Sequence, residues 1–116
     1  MRFEERKSGD ILITKVMEAR IGADVASRFK EGMIHYLSGD NRVIVLDMSE
    51  VEFIDSSGLG ALISCLKSMG RERELVLSGT RGTVASMFKL TRMDKVFRMF
   101  NRTDEAVAFL REGDGL

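Results

Sequence analysis

Val43-Ile44-Val45-Leu46-Asp47-Met48-Ser49-Glu50-Val51-Glu52-Phe53-Ile54-Asp55-Ser56-Ser57-Gly58-Leu59-Gly60-Ala61-Leu62 leads from an unbroken apolar run, through a polar connector, into apolar residues with helical spacing. An unbroken apolar run such as Val43 to Leu46 marks a strand buried on both faces, as in a parallel sheet covered by helices. From Ser56 the spacing predicts a helix to about Met69, ending at Gly70. At about 100° per residue, Leu59, Leu62, Ile63 and Leu66 form one apolar stripe with Ser56 on its flank. Ser57 then projects away from the stripe, in company with Gly60, Ala61, Ser64 and Ser68, a face of small side chains that a second surface can approach closely. A helix start has free backbone N–H groups and a partial positive charge, so it suits an Asp, a Ser or a phosphate. The Asp55-Ser56-Ser57 hydroxyls could therefore cap the helix or be modified.

The rest of the chain reads outward from this unit. Weak alternation from Met1 to Arg6, a Ser8-Gly9-Asp10 turn and the apolar run Ile11 to Met17 predict an opening hairpin. Arg20-Ile21-Gly22-Ala23-Asp24 is a loop with Asp24 as N-cap of a helix that turns Ala26, Phe29, Met33, Tyr36 and Leu37 to one side and stops near Ser38 to Asn41. Beyond the connector Arg71 to Glu74, Leu75-Val76-Leu77 is a strand. Gly79-Thr80-Arg81-Gly82 turns into a helix with Val84, Met87 and Phe88 inward. Val96 to Phe100 is a last strand, and Thr103 caps a helix that Ala106, Phe109 and Leu110 pack down, with residues 113–116 frayed.

The order is β-β-α-β-α-β-α-β-α, one α/β domain over 1–116. Alternating strands and helices imply a mostly parallel sheet of about five strands with about four helices, the N-terminal strand antiparallel. Loops after the carboxyl ends of parallel strands gather on one edge. Here they are Arg20 to Asp24, Glu52 to Ser57 and Gly79 to Gly82, so the serines belong to a composite surface.

Composition narrows the chemistry. A chain of 116 residues can bury roughly two-thirds of its unfolded surface in one core. With 18 basic and 18 acidic residues there is no overall field to attract nucleic acid or an anionic membrane. The single cysteine, Cys65, excludes an intramolecular disulfide and reads as a small core hydrophobe. Met1-Arg2-Phe3-Glu4-Glu5 has no signal-peptide core, and no apolar run nears the roughly 20 residues that span a bilayer, so a cytoplasmic location without membrane insertion is expected. The eight methionines fall mostly at core-facing positions. His35, the one histidine, lies away from the apolar side of its helix, with no second His or Cys at ligand spacing, so no metal centre is expected. A serine hydrolase needs a base and usually an elbow of the G-x-S-x-G kind, and neither accompanies Ser57. Gly58-Leu59-Gly60 matches neither phosphate-loop nor dinucleotide patterns, so no cofactor is expected.

The run Val43 to Leu62, with Asp-Ser-Ser-Gly-Leu-Gly following its strand and connector, resembles the signature of STAS domains, and specifically of bacterial anti-sigma-factor antagonists. The similarity extends through the element order to Thr103-Asp104-Glu105-Ala106. The resemblance implies a binding switch rather than an enzyme. Its phosphoacceptor would be the second serine, Ser57, with Ser56 the second choice. The kinase would be an anti-sigma factor with a histidine-kinase-like ATPase fold, reversed by a metal-dependent serine phosphatase. The unphosphorylated form would bind that kinase and free the sigma factor. The implied partner surface comprises Arg20, Gly22 and Asp24; Asp55, Ser56, Ser57 and Gly58; Gly60, Ala61 and Ser64; and Thr80 with Arg81. Many members carry a Gly-x-Leu-Asp segment whose Asp lies near the phosphorylatable serine. Ala19-Arg20-Ile21-Gly22 aligns with it, which puts Gly22 at the carboxylate's place and leaves Asp24 as the neighbouring acid. A rival reading is a constitutive STAS interaction subunit of a transport or signalling assembly, with Ser57 unmodified.

Overall fold

A computed structural model describes residues 1–114. Strands β1 (Phe3–Ser8), β2 (Ile11–Val16), β4 (Val43–Asp47), β6 (Glu74–Ser78) and β7 (Arg98–Phe100) form one sheet in the order β1-β2-β4-β6-β7. β1 is antiparallel to β2, and every other pair in this sheet is parallel. β3 (Arg20–Ile21) and β5 (Phe53–Ile54) pair parallel in a separate two-stranded sheet. The helices are α1 (Ala26–Leu37), α2 (Ser56–Met69), α3 (Gly82–Leu90) and α4 (Thr103–Asp114), with a 3₁₀ turn at Met93–Lys95. The fraying expected over 113–116 falls on this end: α4 extends through Asp114, and residues 115–116 lie outside the described residues.

Strand alternation divides the core in two. Leu12, Val16, Ile44, Leu46, Leu75 and Leu77 meet α1, α2 and α3 on one face of the sheet. Ile11, Ile13, Val43, Val45 and Val76 meet Ala106 and Leu110 of α4 on the other. Both sets being apolar accounts for the unbroken run in β4, which lies between β2 and β6.

Five expectations need correction. Asp24 does not cap α1: the cap position is Val25 with no side-chain hydrogen bond, and the Gly22 carbonyl accepts Val25 N–H at 3.0 Å and Ala26 N–H at 2.9 Å. The last strand begins at Arg98, because Met93–Lys95 forms a 3₁₀ turn in which the Met93 carbonyl takes the amides of Val96 and Phe97 at 3.0 Å each. Phe109 remains 46% exposed, its ring 5.3 Å from Phe100 and the Arg98 guanidinium 5.1 Å from its centroid. The buried arc of α2 is rotated toward Gly58, Ala61, Cys65 and Met69, because α2 packs on α1 as well as on the sheet. Ala61 therefore belongs to the core, and Ile63 and Leu66 lie at its border. Gly58 and Gly22 also leave the expected contact face, because Gly58 is buried beneath the first turn of α2 and Gly22 beneath the side chains of Asp24, Phe53 and Asp55.

Candidate functional site

Backbone pairing brings the three loops together as expected. The Ala19 carbonyl accepts Glu52 N–H at 2.7 Å and Phe53 N–H at 3.1 Å, after which β3 and β5 run side by side. Thr83 at the start of α3 donates its hydroxyl to the Glu52 carbonyl at 2.8 Å, and Arg81 donates to the Ser49 carbonyl at 3.0 and 3.3 Å. Gly79 turns the chain at φ 78°, where a Cβ would press on Ser49 and Asp47 at 3.0 and 3.1 Å. Thr80 follows, half-buried.

Asp55 supplies the cap of α2. Its backbone is extended, Oδ1 accepts Gly58 N–H at 3.0 Å, and Oδ2 accepts Ala23 N–H at 3.2 Å. These bonds favour the ionised form, so the carboxyl is held below its ordinary range, chiefly by the Gly58 amide, against some desolvation. The Ala23 and Ser57 amides and the charge of Arg20 act in the same direction. Of the two possibilities left by the sequence, capping is therefore discharged by the carboxylate. Both serines are exposed, and among the described residues no hydrogen bond engages either hydroxyl.

Gly58 explains how closely this helix start approaches β3. A Cβ there would overlap the Ile21 carbonyl oxygen and lie 2.7 Å from Ile54 Cγ1. Gly60, one turn above Ser57, is exposed with open space around it, and Ser64 continues that side, half-buried. Gly22 is buried under side chains: a Cβ would lie 3.2 Å from Asp55 Oδ2, 3.3 Å from Asp24 Oδ1 and 3.7 Å from Phe53 Cε2. The Asp24 carboxylate thus turns back toward Gly22 and Asp55. Sequence reading passed over Phe53, whose ring carries the Arg20 guanidinium 4.3 Å from its centroid. The signal for it was the alternation Phe53 out, Ile54 in, Asp55 out.

Other reactive side chains lie elsewhere. Cys65 is 2% exposed and its thiol is pushed up to about 11 by burial. His35 is exposed on α1 with its ring edge-on to Tyr36 at 5.0 Å. Among the described residues no three His, Cys, Asp or Glu side chains are grouped to hold a metal ion, and no helix is long and apolar enough to cross a membrane.

The sheet and its helices are those of a STAS domain: the family profile matches residues 3–106, and the chain belongs to that family. Within the family it is one of the anti-sigma-factor antagonists. The anti-sigma-B factor antagonist of Listeria monocytogenes is 32% identical over 102 residues, covering 87% of this chain and 88% of that protein. A candidate anti-sigma factor antagonist from Thermotoga maritima superposes with a TM-score of 0.82 at 26% identity, covering 94% of each chain. An anti-sigma factor antagonist from Mycobacterium paratuberculosis gives 0.85 at 22% identity, covering 95% of this chain and 93% of that one.

Proposed function

We propose that the chain is a single STAS domain over residues 1–116 that acts in the cytoplasm as a phosphorylation-controlled antagonist. Unphosphorylated, it binds an anti-sigma factor that is also a serine kinase, and so releases the sigma factor. Phosphorylation of Ser57 ends that binding, and a metal-dependent serine phosphatase restores it. The domain is a ligand and a substrate, and performs no catalysis itself. One observation carries the reading: Ser57 presents an unengaged hydroxyl on the first turn of a helix whose cap is already supplied by Asp55.

The switch needs no refolding. A phosphate adds about −1.5 to −2 charges, and at a helix N-terminus the dipole favours them. The cost falls on the interface, where each 1.4 kcal/mol or so of opposed charge or lost contact is about tenfold in affinity. Arg20, Asp24, Asp55, Ser56, Gly60, Ser64, Thr80 and Arg81 remain the surface for the partner, whereas Gly22, Gly58 and Ala61 act from beneath it. The test is Ser57→Asp, which is expected to weaken binding to the kinase at least tenfold in calorimetric titration, with the melting temperature nearly unchanged. Wild-type affinity in that variant contradicts the charge switch.

The constitutive reading draws on Gly22, which supplies no carboxylate of its own, although those of Asp24 and Asp55 border it. Absence of phosphate on Ser57 in protein isolated from its own host, alongside stable partner binding, would favour it.

A further inference from the structure

We propose that Arg20 is the counter-ion of phosphorylated Ser57, recruited from the face of Phe53 when the phosphate arrives; this rests on Ser57 being the modified residue. Arg20 opens β3 and is exposed, and its guanidinium lies 4.3 Å from the centroid of the Phe53 ring opposite it on β5. Among the described residues it makes no ion pair and no hydrogen bond, so its charge rests against the ring, within electrostatic reach of Asp55.

The Phe53 ring and Asp55 Oδ2 both border Gly22, at 3.7 and 3.2 Å from where its Cβ would stand. Asp55 then caps the turn that contains Ser57. Asp55 already accepts one backbone amide on each oxygen, from Gly58 and Ala23, and among the described residues it forms no ion pair with Arg20. A phosphate on Ser57, in the turn that Asp55 caps, has no such engagement. It offers three acceptor oxygens and nearly two charges, and a guanidinium fork binds such a group more strongly than it binds an exposed ring.

The charged groups bordering this place are Arg20, Asp24 and Asp55. The two carboxylates disfavour the dianionic phosphate, while Arg20 and the α2 amides favour it. Phosphorylation would then act twice on the partner surface. It adds negative charge, and it removes the Arg20–Phe53 pair, an arginine and an aromatic of the kind that anchors interfaces.

The experiment places phosphoserine at position 57 by genetic encoding, so that no kinase is involved, and follows the phosphate by ³¹P NMR titration. The second phosphate pKa is expected to be higher by about half a unit in Arg20→Gln than in the otherwise native phosphoprotein. Arg81→Gln, which removes a charge from the same edge, is expected to titrate like the native form, since its guanidinium is held at the Ser49 carbonyl and does not pair with the phosphate. Circular dichroism verifies that each variant is folded. Identical titration with and without Arg20 overturns the assignment, as does an equal rise in Arg81→Gln, which would reveal only a general field. Failure of a kinase to modify Ser57 would sink the proposed switch while leaving this titration unaffected.

Discussion

Gly58 and Gly60 stand two positions apart in α2 and make opposite demands on a side chain. At Gly58 a Cβ would collide with the Ile21 carbonyl, which is fixed by β3 and accepts the Asp55 amide. At Gly60 there is open space. Gly58→Ala should therefore destabilise the domain by about 1–3 kcal/mol, the cost of forcing a packed backbone apart. Gly60→Ala should stabilise it by up to about 1 kcal/mol through helix propensity. Urea unfolding of the two variants reads both signs, and equal effects would contradict the close approach of α2 to β3. Cys65 gives a pH signature at the same scale. Its folded thiol titrates near 11 against an ordinary value of 9.0, so the unfolded chain loses the proton first as pH rises. Stability from this group is complete below pH 9 and is lost between about 9 and 11, with a slope of up to about 1.4 kcal/mol for each step of one in pH. Cys65→Ala should flatten that part of the pH profile. Asp55 has the opposite sign: its folded carboxyl is depressed, so its contribution is present above the ordinary value of 3.8 and fades as pH falls through the lower folded value. At this scale the sequence made Asp55, Ser57 and Gly60 visible, because caps and helical phase are local. Ala61 and Gly58 depend on what packs against them, and no local pattern states that.

The elements with long apolar runs or full helical turns were legible: β2, β4, β6 and all four helices follow from periodicity alone. β3 and β5 were not, because two residues cannot show a period and these strands exist only through their pairing with one another. The link from α3 to β7 was the other miss. There Val96 and Phe97 look like strand, yet Phe97 is buried against Phe88 at a ring separation of 6.0 Å and its amide bonds back to Met93. The turn that achieves this puts Arg92 at φ 63°, a left-handed conformation that costs a residue with a Cβ about 1–2 kcal/mol. Arg92→Gly should relieve that cost and, after the extra unfolded-state entropy of glycine, raise stability by about 0.5–1 kcal/mol. A lower urea midpoint for Arg92→Gly would contradict this description of the link.

Across the whole molecule, the parts that hold the site are distinct from the part that is presented. The two core clusters fix the sheet, and the hydrogen bonds of Ala19, Ser49 and Glu52 fix the three loops at its edge. The Ser57 side chain contributes to none of these, so on the proposed function a phosphate there would act on recognition and leave the fold intact. That division was foreseeable from the element order, which gathers the strand-end loops on one edge. What the order could not convey is that Arg20 rests on Phe53 and that Asp24, Phe53 and Asp55 close over Gly22 next to the start of α2. The central claim is that this edge presents Ser57 to a kinase that is also the antagonist's binding partner. It is tested most directly by intact-mass measurement after incubation with the anti-sigma kinase and ATP. Wild-type protein is expected to gain one phosphoryl group and Ser57→Ala none. An unchanged mass for the wild type, or the same gain in Ser57→Ala, would contradict it.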